Sequence, residues 1–197
     1  MDANASLHAQ LAAAAYMSPE EADLTAQKLG YKLEQSDADR MVFANNEGHA
    51  VVSFRGTDLK RPKNAWRDLL TDAAVLFGKQ ERTPRFMKSE QVIQDALSKY
   101  KRVTATGHSL GGSQSVHVAR QLGIEAHSFN PGYSLPDVVR SFKDRIFGNT
   151  RHIKHTNNVY TTSFDPISMA SHLALNAHVH RVNPKEKNPH SLGNFLA

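Results

Sequence analysis

The residues best placed to do chemistry are Gly107-His108-Ser109-Leu110-Gly111. Glycines two positions either side of a serine let the chain turn sharply from strand to helix, which raises the hydroxyl above a sheet edge. A lone serine is a weak nucleophile near neutral pH. It needs an imidazole base, and the base needs a carboxylate to hold its tautomer. Attack on a carbonyl also needs N–H groups aimed at the developing oxyanion. Ser109 is therefore the candidate nucleophile for acyl transfer. Leu110, whose backbone N–H opens the following helix, is a candidate oxyanion donor. The alternative is a glycine-rich turn without chemistry, because the bare pattern also arises by chance.

The flanks favour the catalytic reading. Val103-Thr104-Ala105-Thr106 predicts a strand and Gln114 to Leu122 a helix. In the α/β fold that uses such a turn, the chain order is serine, acid, histidine. Asp165 directly follows the strand candidate Asn158 to Ser163, and Pro166 ends that strand. Its rivals Asp137 and Asp144 fall on a helical pattern and read as solvated charges; an Asp-Pro turn is the plain alternative for Asp165. Beyond it lie His172, His178, His180 and His190. His178 and His180 alternate on one strand face and lack a third metal ligand. His172 sits in an Ala/Leu-rich stretch. His190 follows the last strand through the loop Asn183 to Pro189 and can reach over the sheet edge, so it is the favoured base. Ser53-Phe54-Arg55-Gly56-Thr57 closes another strand. There Thr57 is either a second oxyanion donor or part of a plain Gly-Thr turn.

Helices are predicted at about Ala5 to Met17 and after the capping box Ser18-Pro19-Glu20-Glu21, with Gly30 as the stop. Strands are predicted at Met41 to Ala44 and His49 to Arg55, joined by Asn45-Asn46-Glu47-Gly48. Helical patterns cover Asn64 to Leu76 and Pro84 to Tyr100. After the Ser109 turn come a helix to Leu122, a strand over Ile124 to Phe129, and a helix near Asp137 to Asp144. Strands at Asn158 to Ser163 and His178 to Val182 and a short helix near Ser191 to Leu196 complete the pattern. Alternating strands and helices predict an α/β fold, with a mainly parallel central sheet and helices on both faces. In such folds functional groups gather at the carboxyl ends of strands, where Thr57, Ser109 and Asp165 all fall.

The bulk composition agrees. With 197 residues, 40% hydrophobic and 22% charged, residues 1–197 suit one globular domain. With no cysteine, disulfides, thiolate metal sites and a cysteine nucleophile are excluded. The charge of +5 reads by default as solubility and otherwise favours anionic partners, and no Arg/Lys block with interleaved aromatics marks a nucleic-acid face. No apolar run is long enough to span a bilayer, and the Ala-rich start lacks a basic flank and a cleavage pattern. The expectation is a location in the cytoplasm or within a larger assembly such as a virion.

Several segments together resemble the class 3, fungal-type lipase family. These are Ala12-Ala13-Ala14-Ala15-Tyr16, Phe54-Arg55-Gly56-Thr57, Asn64-Ala65-Trp66-Arg67-Asp68-Leu69, Gly107 to Gly112, Asp165-Pro166-Ile167, and His190-Ser191-Leu192 with Asn194-Phe195. The resemblance spans nearly the whole chain and implies an α/β-hydrolase fold. It implies nucleophile Ser109, acid Asp165, base His190, oxyanion donors Thr57 and Leu110, a lipid ester substrate, and no metal or organic cofactor. In place of an apolar lid stands the basic stretch Asp58-Leu59-Lys60-Arg61-Pro62-Lys63. Lys60, Arg61 and Lys63, with Trp66 as anchor, either dock an anionic phospholipid surface or form a solvated loop. Arg55, Asp68 and Asp72 read as structural ion-pair partners. The other readings are a non-catalytic binding protein on the same fold, or an acyltransferase or thioesterase with the same nucleophile.

Overall fold

The computed structural model describes residues 1–56, 84–132, 157–165, 168 and 177–196. The predicted helices near 64–76 and 137–144 lie outside these residues. Helix α1 (Ala3–Ala14) is capped by the Asp2 carboxylate, which accepts from Ala5 N–H. Helix α2 (Pro19–Gln27) starts at the predicted capping box: Ser18 Oγ accepts from Glu21 N–H, and the Glu21 carboxylate accepts from Ser18 N–H. Then come β1 (Lys32–Ser36), β2 (Arg40–Ala44), β3 (His49–Phe54), α3 (Pro84–Lys99), β4 (Arg102–His108) and α4 (Leu110–Leu122). β5 (Glu125–Phe129), β6 (Asn157–Thr162) and β7 (His178–Val182) follow, and the predicted terminal helix is a 3-10 turn over Leu192–Phe195.

The strands form one sheet in the order β1 to β7. β1, β2 and β3 are antiparallel neighbours, and β3 through β7 pair in parallel. The mainly parallel sheet of the prediction is therefore present. β1 is an addition to it. Lys32-Leu33-Glu34-Gln35-Ser36 holds one apolar residue and a register shift between Leu33 and Gln35, so it carries no alternating signal.

Sequential parallel strands joined by right-handed crossovers place their connecting helices on one face. Accordingly, α3 and α4 contribute Phe86, Val92, Ile93, Ala96, Val118 and Ala119 to one core with Ala50, Val52, Phe54, Val103, Ala105 and Ala126 of the sheet. Period-two alternation sends the intervening residues to the opposite face, which α1 covers. There Leu11 and Ala14 pack with Met41, Phe43 and Val51, while Ala5, Ala9 and Ala12 pack with Phe129, Tyr160 and Phe195.

Between these two apolar patches the α1 face is polar. Tyr31 O–H donates to His49 Nδ1 (2.7 Å), and His49 Nε2–H donates to Thr104 Oγ1 (3.0 Å). Thr104 O–H donates to His8 Nε2 (2.9 Å), and His8 Nδ1–H donates to the Asn4 carbonyl (2.8 Å). Each donor meets one acceptor only if both imidazoles are neutral. Among the described residues, no helix is long and apolar enough to cross a membrane.

Candidate active site

Ser109 is the single residue between β4 and α4, with φ 57° and ψ −123°. L-residues rarely adopt that backbone, and it persists only where the surroundings enforce it. The enforcement is backbone against backbone. A Cβ on Gly107 would lie 2.5 Å from the Gly111 carbonyl group, and one on Gly111 would collide with the Phe54 carbonyl. The end of β3 can therefore press directly on the serine turn. Gly111→Ala is expected to cost about 1–3 kcal/mol by overpacking. It should appear as a lower denaturation midpoint at unchanged m; an unaltered midpoint would contradict this close approach.

Leu110 is the first residue of α4, where helix geometry leaves backbone N–H groups without intrahelical acceptors. The Ser109 N–H is already committed to the Phe129 carbonyl (3.1 Å). The Ser109 side chain makes no capping hydrogen bond.

Asp165 follows β6 and is fully buried. Its Oδ2 accepts from His190 Nδ1–H at 2.9 Å. A proton on Nδ1 leaves Nε2 of the neutral ring as the acceptor. That Nε2 is buried without a hydrogen-bond partner among the described residues. No hydrogen bond yet joins it to Ser109.

What links the histidine to the serine turn is His108, which sequence reasoning passed over. Its Nε2–H donates to the His190 carbonyl (2.8 Å), and the two rings lie 4.9 Å apart. Burial, with the neighbouring His190 next, pushes the His108 imidazole down to about 3. It is therefore a fixed neutral donor near pH 7.

The loop carrying His190 is held by further side chains that its sequence did not flag. Asn194 Oδ1 accepts from Lys185 and Glu186 N–H (2.7 Å each), and its Nδ2 donates to the Asn188, Pro189 and Ser191 carbonyls. Asn130, at the end of β5, donates to the Pro189 carbonyl (2.9 Å), and so does Thr162 O–H at the end of β6. Consecutive carbonyls around the histidine are thus pinned by buried groups from three strand ends. Asn194 had entered only through a motif resemblance; for Asn130 and Thr162 the one signal was a position at a strand's carboxyl end.

Thr57 lies outside the described residues, as do Lys60, Arg61, Lys63, Trp66, Asp68, Asp72, Asp137, Asp144 and His172. The backbone leading to Thr57 is described. Gly56 N–H donates to Tyr16 Oη at 2.9 Å. Arg55 donates from Nε and Nη2 to the Ala15 and Met17 carbonyls beyond α1, which suits a cation at a helix carboxyl end. Asp68 and Asp72, read with it as ion-pair partners, lie outside the described residues. His178 and His180 are exposed on β7; His180 stacks on Tyr160 (4.8 Å) and donates to Asn158 Oδ1 (3.2 Å). Among the described residues, no group of three His, Asp or Glu could hold a metal ion.

Solved lipase structures are among those that share this architecture. A fungal lipase superposes with a TM-score of 0.54 over 97% of this chain and 83% of its own, at 14% identity. Lipase II from Rhizopus niveus gives 0.53 over 95% and 82%, at 17% identity. The chain has an α/β-hydrolase fold. At these identities the likeness is one of fold alone. No protein-family model matches the sequence, and no curated protein matches it either. The α/β-hydrolase sheet accounts for the gathering of Ser109, Asp165 and His190, which follow β4, β6 and β7 at the carboxyl edge.

Proposed function

We propose that this chain hydrolyses carboxylic esters of lipids, glycerides or phospholipids, through an acyl-enzyme on Ser109. The observation that supports this most is the buried Asp165–His190 pair, with its open Nε2, tied through His108 to the strained serine turn.

In this mechanism Ser109 Oγ attacks the ester carbonyl carbon while His190 Nε2 takes its proton. Asp165 keeps Nδ1 protonated and stabilises the imidazolium. The N–H groups of Leu110 and Thr57 hold the oxyanion. The imidazolium then protonates the leaving alcohol. Water enters, gives a proton to Nε2 and attacks the acyl carbon; the acyl–Oγ bond then breaks, the carboxylic acid leaves, and the imidazolium returns its proton to Ser109 Oγ. The missing Ser109–His190 hydrogen bond is compatible with this order, since such bonds commonly tighten only when substrate arrives. The chemistry calls on no metal or organic cofactor. The lipid preference draws on the fungal lipases that share the fold. It also draws on the basic stretch Lys60, Arg61 and Lys63, with Trp66, which would dock an anionic lipid surface.

A fluorophosphonate probe is the direct test. Wild type should label covalently and Ser109→Ala should not. A folded wild type that refuses the probe would overturn the acyl-enzyme and favour a binding protein on the same fold.

A further inference from the structure

The turn that delivers the acid contains a residue that folding alone does not explain. Asp165 N–H donates to the Thr162 carbonyl (3.4 Å), closing a four-residue turn at the end of β6. The third residue of that turn is Phe164, at φ 67°. A positive φ there calls for glycine or asparagine; on a bulky side chain it is a strained outlier. The ring is also 85% exposed, more than any other described large apolar side chain. Burial therefore does not offset the strain. A polar, turn-compatible residue would serve the fold better on both counts. Strain of this kind collects where ligands are clamped.

We propose that Phe164 is the contact for the apolar acyl chain of the substrate, and that it sets the preference for longer chains. This rests on ester hydrolysis at Ser109. Phe164 immediately precedes the acid, so its position is fixed by the same turn that aims Asp165. β6 lies two strands from β4 in the sheet, so the turn stands roughly 10 Å along the carboxyl edge from the nucleophile. A medium-length acyl chain leaving the carbonyl carbon reaches that far, and an acetyl group does not. The ring then gains by binding the burial that it lacks in the free protein.

The test compares p-nitrophenyl acetate with p-nitrophenyl octanoate, the latter kept below its micelle concentration, on wild type, Phe164→Asn and Phe164→Leu. The octanoate-to-acetate ratio of kcat/KM should fall about tenfold in Phe164→Asn, chiefly through KM, and be largely restored in Phe164→Leu. Because the turn favours asparagine, Tm of Phe164→Asn should rise by about 2–4 °C. A ratio equal to wild type would overturn the contact. A Tm that does not rise would remove the strain argument. An active wild type with an unchanged ratio sinks this contact alone; a wild type inert on both esters sinks the hydrolase reading with it.

Discussion

With the proposed ester hydrolysis at Ser109, Asp165→Asn is expected to slow turnover by about 10⁴-fold, with KM little changed. The two side chains are nearly the same size, so the effect is electronic. The Asp165 carboxylate can only accept, which forces the His190 proton onto Nδ1 and leaves Nε2 ready for the serine proton. An amide turned to present its NH₂ group makes Nδ1 the acceptor and moves the proton to Nε2. The base is then occupied where it must be empty. Turned the other way, the amide oxygen still accepts but carries no charge to stabilise the imidazolium. Asp165 is fully buried, so water does not restore that charge. Steady-state kinetics on a soluble ester, with near-UV circular dichroism to establish the fold, read the result. A loss below tenfold would return the acid's role to Asp137 or Asp144.

Acid will unfold this protein earlier than its carboxylates alone require. Burial, with His127 next, pushes His8 down to about 3, and His108 is likewise down to about 3. In the unfolded chain both imidazoles titrate near 6.5. Between these values the unfolded chain holds protons that the folded chain excludes, so stability is full above pH 6.5 and falls as pH drops toward 3. The slope is roughly 1.4 kcal/mol per pH unit for each imidazole. Total stabilities of about 5–15 kcal/mol do not withstand two such slopes for long. Glu125, held near 2 chiefly by its hydrogen bond from His127, works in the same direction at lower pH. A charged His8 also breaks the donor order through Thr104, because Nε2 then donates where it had accepted. Urea midpoints from pH 7 to pH 4 check this. His8→Gln should flatten the slope by about one proton; an unchanged slope would exclude His8 as a source.

Most of the sheet was legible because its strands are buried and apolar, from Met41 to Ala44 through to Ile124 to Phe129. β1 was not, since an exposed edge strand with a bulge needs no alternation. Ser109, Asp165 and His190 stand out as candidates in the sequence because strand ends and chain order constrain them, and the Asp165–His190 hydrogen bond fits that order. His108, Asn130 and Thr162 do not, and Asn194 does only through a motif resemblance, because they bind main-chain carbonyls, and a carbonyl has no letter in the sequence. Polar residues beside glycine and proline read only as turn formers until the backbone they hold is seen. Phe164 gave no sign at all: a positive φ belongs to the turn geometry, and its side chain contradicts the usual turn composition.

The sheet's sequential order also bears on how the chain assembles as it is made. Neighbouring strands are neighbours in synthesis, so each can pair as it emerges. Helix α1 is the exception. It is made before any strand, yet Ala5, Ala9 and Ala12 pack with Phe129, Tyr160 and Phe195, the last of which follows every strand. Its final seating must wait for the segment that also carries His190. A nascent chain on the ribosome would thus hold a nearly finished sheet, a first helix seated by Leu11 and Ala14 but still open on its Ala5, Ala9 and Ala12 side, and Ser109 without His190. The same late step would complete the packing of the helix and bring in His190.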